Sequence, residues 1–370
     1  MSLSVLHVTQ PTIGGVGGQV LALASDQVRR GFEVGLVCPS EGELAARASA
    51  AGVHHIPWRA SRSPGPASAA ETVELRRILD QAAHDVVHLH SSKAGLAGRL
   101  VLHGRRPTLF QPHAWSFEAV GGLVGKAAVA WERMSARWAH VIVCVSEGER
   151  RRGEEAGIKA RFRIIRNGVD LDAYPEASAD DRPRARERLG RAPGEPLAVC
   201  VGRLARAKGQ DVLVRAWPAV RERVPDASLV LVGAGPDAPG LRRLAGPGVE
   251  FAGERNDVLD WLAAADVVVQ PSRWEAMSLS LLEAMARGRC VVVTDVPGAP
   301  ETLADIDGAV VPVEAPGPLA TGIADRLLDP VRAAAEGREN RRRVEQFDLH
   351  RMTDAFADVY GKLLEERPPR

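Results

Sequence analysis

Short apolar runs alternate with longer stretches rich in Ala, Arg and Glu along the whole chain. LSVLHV from Leu3, VGLVC from Val34, DVVHLH from Asp85, TLFQPH from Thr108, VIVCVS from Val141 and FRII from Phe162 are each of strand length and end in turn or cap residues. Continuous apolar runs of this length, separated by helical stretches, predict parallel strands buried on both faces. After the polar, Pro-containing stretch Tyr174 to Pro196 a second series follows: LAVCVG from Leu197, SLVLVG from Ser228, VEFAG from Val249, DVVVQPS from Asp266, CVVVTD from Cys290 and AVVPV from Ala309. Two sets of six, each opening with a strand that runs into a Gly-containing loop, predict an α/β chain of two doubly wound, Rossmann-like sheets facing across a cleft, with the cleft as the binding site. The expected division is 1–180, 181–345 and a C-terminal segment 346–370. Within that segment Phe347, Met352, Phe356, Val359 and Tyr360 stand near helical spacing.

Composition narrows the class. At roughly 150 residues per domain the 370 residues suggest two domains, and 45% apolar with 26% charged residues describe a globular chain with a sizeable core. Forty-eight Lys and Arg stand against 47 Asp and Glu, a net charge of +1 that lacks the basic balance of a dedicated nucleic-acid binder. No apolar run approaches the ~20 residues that span a bilayer, and Met1 to Gln10 reads as a strand. Neither a leader nor an anchor is therefore expected, and the expected compartment is the cytoplasm. Cys38, Cys144, Cys200 and Cys290 are scattered, three of them inside apolar runs where a thiol behaves as a small hydrophobe, which suits a reducing compartment. No Cys pair or Cys/His cluster has zinc-type spacing, so no metal is expected.

The most informative segment is PSRWEAMSLSLLEAMARGRCVVVTD. A strand ends at Pro271 and Ser272, a loop carries Glu275, and a helix runs from about Ser278 to Arg287. Such a turn at the carboxyl edge of a parallel sheet presents free backbone N–H groups, here around Ser278 and Leu279, which suit a phosphate. Glu283 lies about a turn and a half inside the helix, so its carboxylate can face the same crevice and accept hydrogen bonds from the vicinal hydroxyls of a sugar or a ribose. On spacing alone both glutamates also read as solvated surface carboxylates. In VGRLARAKGQD a strand ends at Val201 and Gly202, and Arg203 and Lys208 follow in a Gly-bounded loop before the next helix. Two cations there can neutralise a diphosphate and let it leave without a metal, or they are surface cations of an Arg-rich chain.

The first strand runs into PTIGGVGGQVLALA, where Gly14, Gly15, Gly17 and Gly18 let the backbone approach an anion. A dinucleotide fingerprint is the rival reading. Counted from Gly15 it needs a glycine where Val20 stands, and VGLVC leads into Pro39-Ser40-Glu41, which speaks against nicotinamide binding. His88 and His90 alternate on one strand and face one side, and His113 follows the next strand in QPHAWSFE. A lone histidine near an apolar strand is more often packed and satisfied than a ligand. Three at carboxyl ends of strands in one domain point toward the cleft, His113 most of all.

Taken together, these residues resemble the retaining nucleotide-sugar glycosyltransferases of family four, of GT-B fold, over nearly the whole chain. The paired-glutamate signature is matched by Glu275 and Glu283 with seven residues between them, inside the frame PS…E…LLEAMA.G…V.TD. The GRL…KG diphosphate motif is matched by Gly202, Arg203 and Lys208, the NGVD motif by Asn167 to Asp170, and the N-terminal glycine loop by Gly14 and Gly15. The resemblance implies that Glu283 binds the donor's ribose, Glu275 the transferred sugar's hydroxyls, and Arg203 and Lys208 the diphosphate. It further implies that the glycine loop covers the phosphates, that His113 touches the sugar near its reacting centre, and that Arg255 in GERND lies where the base is held. No metal or cofactor is then needed, the nucleoside-diphosphate sugar being a co-substrate, and the C-terminal helix crosses back to the first domain. Three positions depart from the pattern: Ala276 and Ser278 replace common glycines and make the signature loop bulkier, and Gln19 replaces a basic or His residue.

Retention of configuration is also implied by the resemblance, and with no nucleophilic carboxylate evident in the first domain a front-side displacement is the economical mechanism. HSSKAG from His90 and QPHAWSF resemble segments of the subgroup that builds exopolysaccharide or capsule on a polyprenyl-diphosphate carrier, implying a carbohydrate or lipid-linked acceptor. Between Lys93 and Arg137 seven basic residues face two acidic ones, and Trp131, Met134 and Trp138 recur at helical spacing beside Arg133 and Arg137. That stripe is either a peripheral membrane-facing patch or the core face of a helix. Transfer to a small metabolite, a sugar-nucleotide epimerase on the same fold, and a non-catalytic nucleotide-binding module are the alternatives. Donor base, hexose, linkage and oligomeric state are not legible.

Overall fold

The computed structural model describes residues 3–61, 65–303 and 306–366; the outer ends of the expected segments, 1–2 and 367–370, lie outside them. The chain divides into two compact units, Met1–Asn167 with Leu349–Arg370, and Gly168–Asp348. The first contains β1 (Ser4–Thr9), β2 (Glu33–Cys38), β3 (His54–Pro57), β4 (Val86–His90), β5 (Thr108–Gln111), β6 (Val141–Cys144) and β7 (Phe162–Ile164). They form one parallel sheet in the order β3-β2-β1-β4-β5-β6-β7. The second contains β8 (Leu197–Val201), β9 (Ser228–Val232), β10 (Val249–Gly253), β11 (Val267–Gln270), β12 (Cys290–Thr294) and β13 (Val310–Val311), parallel in the order β10-β9-β8-β11-β12-β13. This is the α/β architecture of two doubly wound sheets that the run pattern predicts. The strand the pattern misses is β3, whose residues His54, His55, Ile56 and Pro57 include one long aliphatic side chain and lie partly exposed at the sheet edge.

Parallel sheets need cover on both faces, and alternation along the strands supplies it. Leu6, Val8, Val87, Leu89, Phe110 and Ile142 form a core on one face of the first sheet. Val5, Val86, Leu109 and Val141 face the other way and receive the C-terminal helix Leu349–Glu365. That helix buries Leu349, Met352, Phe356, Tyr360 and Leu363, and Arg30 donates to Asp354 and to Thr353 Oγ1 (2.8 Å) to hold its flank. In the second unit Trp217, Leu229, Val267, Val292 and Ile323 are buried together in one large core.

The breaks between units fall at Asn167–Gly168 and Asp348–Leu349, ahead of the expected 180 and just past the expected 345. A local cause is visible: Val169 N donates to Phe347 O (2.9 Å), and Val169 and Asp348 form a parallel bridge, so the two connecting segments pair with each other inside the second unit. Cys38, Cys144, Cys200 and Cys290 are free thiols buried in β2, β6, β8 and β12. Burial pushes the Cys38, Cys200 and Cys290 thiols up to about 12. Among the described residues no helix is long and apolar enough to cross a membrane.

Candidate active site

In the second sheet, chain order reverses between β8 and β11. Loops leaving adjacent strands on either side of such a switch point diverge and open a crevice at the carboxyl edge. The loop after β8 contains Gly202, Arg203 and a 3-10 turn over Arg206–Lys208, and then Gly209 opens the helix Gln210–Arg223. Gly209 has φ +64°, and a Cβ there would lie 1.9 Å from the Pro271 carbonyl oxygen. Only glycine permits both the left-handed turn and this approach of the β8 loop to the β11 loop. Arg273 N donates to Ala207 O (2.8 Å), and the Arg273 guanidinium binds Asp211 (2.6 and 2.7 Å), fixing the same apposition.

The result brings the expected residues together. Lys208 Nζ pairs with Glu275 Oε2, both side chains being about a quarter exposed. Glu275 and Ser278 share the wall of a small pocket with Gln270 and Ser272, and Lys208 borders its neighbour. Ser278 is the N-cap of the helix Leu279–Ala286, its hydroxyl accepting from Leu281 N (3.4 Å). The residue that departs from glycine is therefore a capping residue, and the first N–H groups of that helix have no intrahelical acceptor. Ala276 is buried, and a Cβ on Gly298 would lie 2.4 Å from its carbonyl, so the bulkier loop is accommodated by a glycine opposite. Glu283 is half-buried, and burial raises its carboxyl, opposed by the Tyr174 hydrogen bond and by nearby Lys208. Arg203 is half-buried, and its guanidinium makes no hydrogen bond or ion pair among the described residues. Arg255 stands apart: it is exposed in the loop after edge strand β10 and is held by Asp257, with Nε 2.8 Å from Oδ1.

The first sheet reverses its order between β1 and β4. The loop after β1 leads to the helix Gly14–Arg29, whose N-terminus has no side-chain cap and no acidic residue in its first turn. Gly14 (φ +72°) and Gly15 are exposed there, so the N–H groups face solvent. Gln19 is turned inward and donates to Met352 Sδ of the C-terminal helix, so this departure from the family pattern is a core contact.

His113 and Ala114, after β5, both have positive φ (+53° and +82°). Non-glycine residues are held this way only by strong local restraints, and the restraint is Glu149, which sequence reasoning missed. The buried Glu149 carboxylate accepts from Ala114 N (2.7 Å) and Val145 N (2.7 Å). Burial pushes its carboxyl up to about 7 against those two N–H bonds. His113 Nε2 meets His90 Nδ1 (3.2 Å), His90 Nε2 meets His7 Nδ1 (2.9 Å), and His7 Nε2 meets Gln27 Oε1 (2.8 Å). Gln27 Nε2 and His88 Nδ1 both reach the Tyr360 hydroxyl (3.4 and 2.8 Å). Burial lowers all four imidazoles, His7 to about 4 and His113 to about 3, so all are neutral at pH 7.

Nitrogens of His7, His88 and His90 lie within 4.8 Å of one another, a cluster that the spacing of Cys and His along the sequence does not show. The register His7↔His88 and Thr9↔His90, invisible in the sequence, makes it. The set fits a resident dication poorly, because His7 Nδ1 and His90 Nε2 are already bonded to each other and His88 Nδ1 to the Tyr360 hydroxyl.

Trp131 and Trp138 are half-buried, with ring centroids 5.8 Å apart, and Trp138 packs on His103 at 4.0 Å. Among the residues of the expected apolar stripe only Met134 is exposed, while Val120, Leu123 and Val124 at the start of the helix Gly122–Ser135 project into solvent, Leu123 at 84%.

Residues 13–173 match the family described as Glycosyltransferase Family 4, and residues 195–329 match Glycosyl transferases group 1. A GDP-mannose-dependent alpha-(1-6)-phosphatidylinositol monomannoside mannosyltransferase of Mycobacterium tuberculosis is 33% identical over 75% of this chain and 75% of its own length. The alpha-maltose-1-phosphate synthase of Mycolicibacterium smegmatis is 29% identical over 95% of this chain and 96% of its own. A GDP-mannose-dependent monoacylated alpha-(1-6)-phosphatidylinositol monomannoside mannosyltransferase of Corynebacterium glutamicum is 35% identical over 55% of this chain, which spans 57% of that relative. In fold, Anabaena HepE in complex with UDP and glucose superposes with a TM-score of 0.84 at 20% identity, over 97% of this chain and 100% of that one. Both sheets, both family matches and the long alignment to a mannosyltransferase agree: the chain belongs to glycosyltransferase family 4, enzymes of GT-B fold that use nucleotide sugars.

Proposed function

We propose that the chain is a retaining hexosyltransferase that moves a sugar from a nucleoside diphosphate to an acceptor hydroxyl in polysaccharide or glycolipid synthesis. The observation that carries this reading is the pairing of Lys208 with Glu275 at the carboxyl ends of β8 and β11, where the β8 loop also carries Arg203, whose guanidinium has no partner among the described residues. Arg203 and Lys208 hold the diphosphate, helped by the N–H groups at Ser278 and Leu279. Glu275 takes hydroxyls of the sugar, Glu283 takes the ribose, and Gly202 keeps the β8 turn open. The helix N-terminus at Gly14 and Gly15 adds N–H donors for phosphate, and His113 touches the sugar. Arg255 reaches the base once it exchanges Asp257 for the nucleotide.

The acceptor oxygen attacks the anomeric carbon on the face the diphosphate leaves. As the new C–O bond forms, the anomeric C–O bond to phosphate breaks, and the acceptor proton passes to the departing phosphate oxygen. Arg203 and Lys208 stabilise the charge that grows on that oxygen, the task a divalent metal performs elsewhere. The acceptor is a carbohydrate or lipid-linked sugar, and the exposed Leu123 and Val124 beside Lys126 rest on the membrane that carries it.

The deciding test is acceptor-dependent release of nucleoside diphosphate, with donors ranked first by thermal shift across GDP-mannose, UDP-glucose and other nucleotide sugars. Lys208→Ala and Arg203→Ala each lower turnover by roughly 10²-fold or more, as loss of a contact to developing charge does. Near wild-type turnover in both variants defeats the diphosphate assignment. Absence of sedimentation with anionic vesicles removes the membrane contact alone.

A further inference from the structure

We infer that Gln27, His7 and His90 are positioning residues that fix the tautomer of His113, so that it offers a hydrogen-bond acceptor to the donor sugar. This rests on the reading above that His113 touches that sugar. The bonds run in one unbroken line from Gln27 Oε1 through His7 and His90 to His113 Nε2.

A neutral imidazole has one N–H and one bare nitrogen, so each bond in such a line dictates the next. Gln27 presents its carbonyl oxygen to His7 and its NH₂ to the Tyr360 hydroxyl. An oxygen can only accept, so His7 carries its proton on Nε2 and leaves Nδ1 bare. His90 must then donate from Nε2 to His7 and leave its own Nδ1 bare. His113 must donate from Nε2 to His90. The Nδ1 of His113, which has no partner among the described residues, is thereby left as a lone pair. The Tyr360 hydroxyl accepts from Gln27 and keeps one proton and a second lone pair, so its bond to His88 Nδ1 is compatible with either sense and leaves the line unaffected.

The line holds only while the imidazoles stay neutral, since a protonated ring donates at both nitrogens. His7 and His90 are fully buried and so meet that condition at neutral pH. The backbone restraint on Ala114 by Glu149 keeps the last ring in reach of His90. A bare Nδ1 accepts from a sugar hydroxyl and repels a carboxylate or carbonyl at the same place. The chemistry therefore points to a neutral hexose with a free hydroxyl facing His113, and away from a uronosyl donor.

The decisive reading is spectroscopic. Loss of the directing oxygen only allows the opposite sense to be populated, which at equal populations weakens donor binding about twofold, too little to separate from a packing effect. Two-bond proton–nitrogen correlation spectra of nitrogen-15 histidine-labelled protein, with the His113 signals assigned by their loss in His113→Asn, report each tautomer directly. The expected result is the Nε2–H form for His7, His90 and His113, with Nδ1–H appearing at His113 in Gln27→Leu and in Tyr360→Phe. Once the signals are assigned, the wild-type spectrum is read without any substitution at Gln27 or Tyr360, and an Nδ1–H form at His113 there overturns the inference. So does an unchanged His113 signal in a folded Gln27→Leu, or uptake of one equivalent of zinc that shifts His7, His88 and His90 together. Titration with GDP-mannose and UDP-glucose separates the two readings. If the tautomers are as expected and neither donor moves His113 Nδ1, the line stands and the sugar contact falls.

Discussion

Replacing Gly209 with Ala tests the loop apposition on which the donor site rests. The new Cβ would lie 1.9 Å from Pro271 O, where ordinary contact begins near 3.4 Å, so the β8 and β11 loops must part by about 1.5 Å. Two costs follow. Holding an alanine at φ +64° costs about 1–2 kcal/mol, and relieving the collision costs about 1–3 kcal/mol more, for a total of about 2–5 kcal/mol. Gly190→Ala separates them, because Gly190 has φ +66° with nothing within 4 Å and reports the conformational cost alone. Urea unfolding of both variants gives the difference from midpoints at constant slope. The displaced loop also carries Lys208 away from Glu275, and a misplacement near 1 Å lowers kcat/KM by on the order of 10²-fold, while Gly190→Ala leaves it unchanged. If Gly209→Ala costs no more stability than Gly190→Ala, the loops are not in contact and the paired site built on that contact is wrong.

Three further outcomes are expected. Phe356→Ala, at a side chain 1% exposed between the first sheet and the C-terminal helix, costs about 3–5 kcal/mol in urea unfolding; a loss under about 1 kcal/mol would mean the helix is not part of that core. Glu149 binds its proton more tightly folded, near 7, than unfolded, near 4.5. Its contribution is therefore full below about pH 4.5 and is lost as pH rises through about 7, by about 3 kcal/mol at 1.36 kcal/mol per unit, so the stability of wild type relative to Glu149→Gln falls over that window. A difference that is flat with pH would show the carboxyl titrating as in water. Glu275→Gln frees Lys208, so calorimetry should show bare UDP or GDP binding a few-fold tighter, roughly 0–1 kcal/mol for a partly exposed pair, and the corresponding nucleotide sugar binding weaker; parallel changes in both would separate Glu275 from sugar recognition.

What the sequence discloses is what local pattern controls. Val267 to Val269 and Leu197 to Val201 are apolar throughout because both faces of those strands are covered, so the run alone identifies them. Lys208, Gly209, Glu275 and Glu283 are legible because their positions follow from where a strand stops and a helix starts. Gly209 could even be assigned its reason, since a glycine just before a helix invites a left-handed turn. Its collision partner, Pro271, lies just past the end of a strand 62 positions on and has no trace in the local pattern. β3 escaped for the opposite reason: an edge strand half in solvent has no need of an apolar run.

The first unit's chemistry is hidden for a deeper reason, since it depends on pairings between distant elements. His7 sits in a strand that reads as core, and nothing around it marks it until β1 and β4 align His7 with His88. Gln27 and Tyr360 are 333 residues apart and meet only because the C-terminal helix returns to this sheet. Burying four imidazoles without a carboxylate would be costly if any were charged. The arrangement survives because His7, His90 and His113 each pass one proton along, with a single amide oxygen at the inner end to settle the sense for these three. Glu149 works in the same manner on the backbone, its buried carboxylate holding the N–H of Ala114, which with His113 has positive φ, and the N–H of Val145. One sheet therefore offers its switch point as fixed cations and the other as fixed lone pairs and N–H groups.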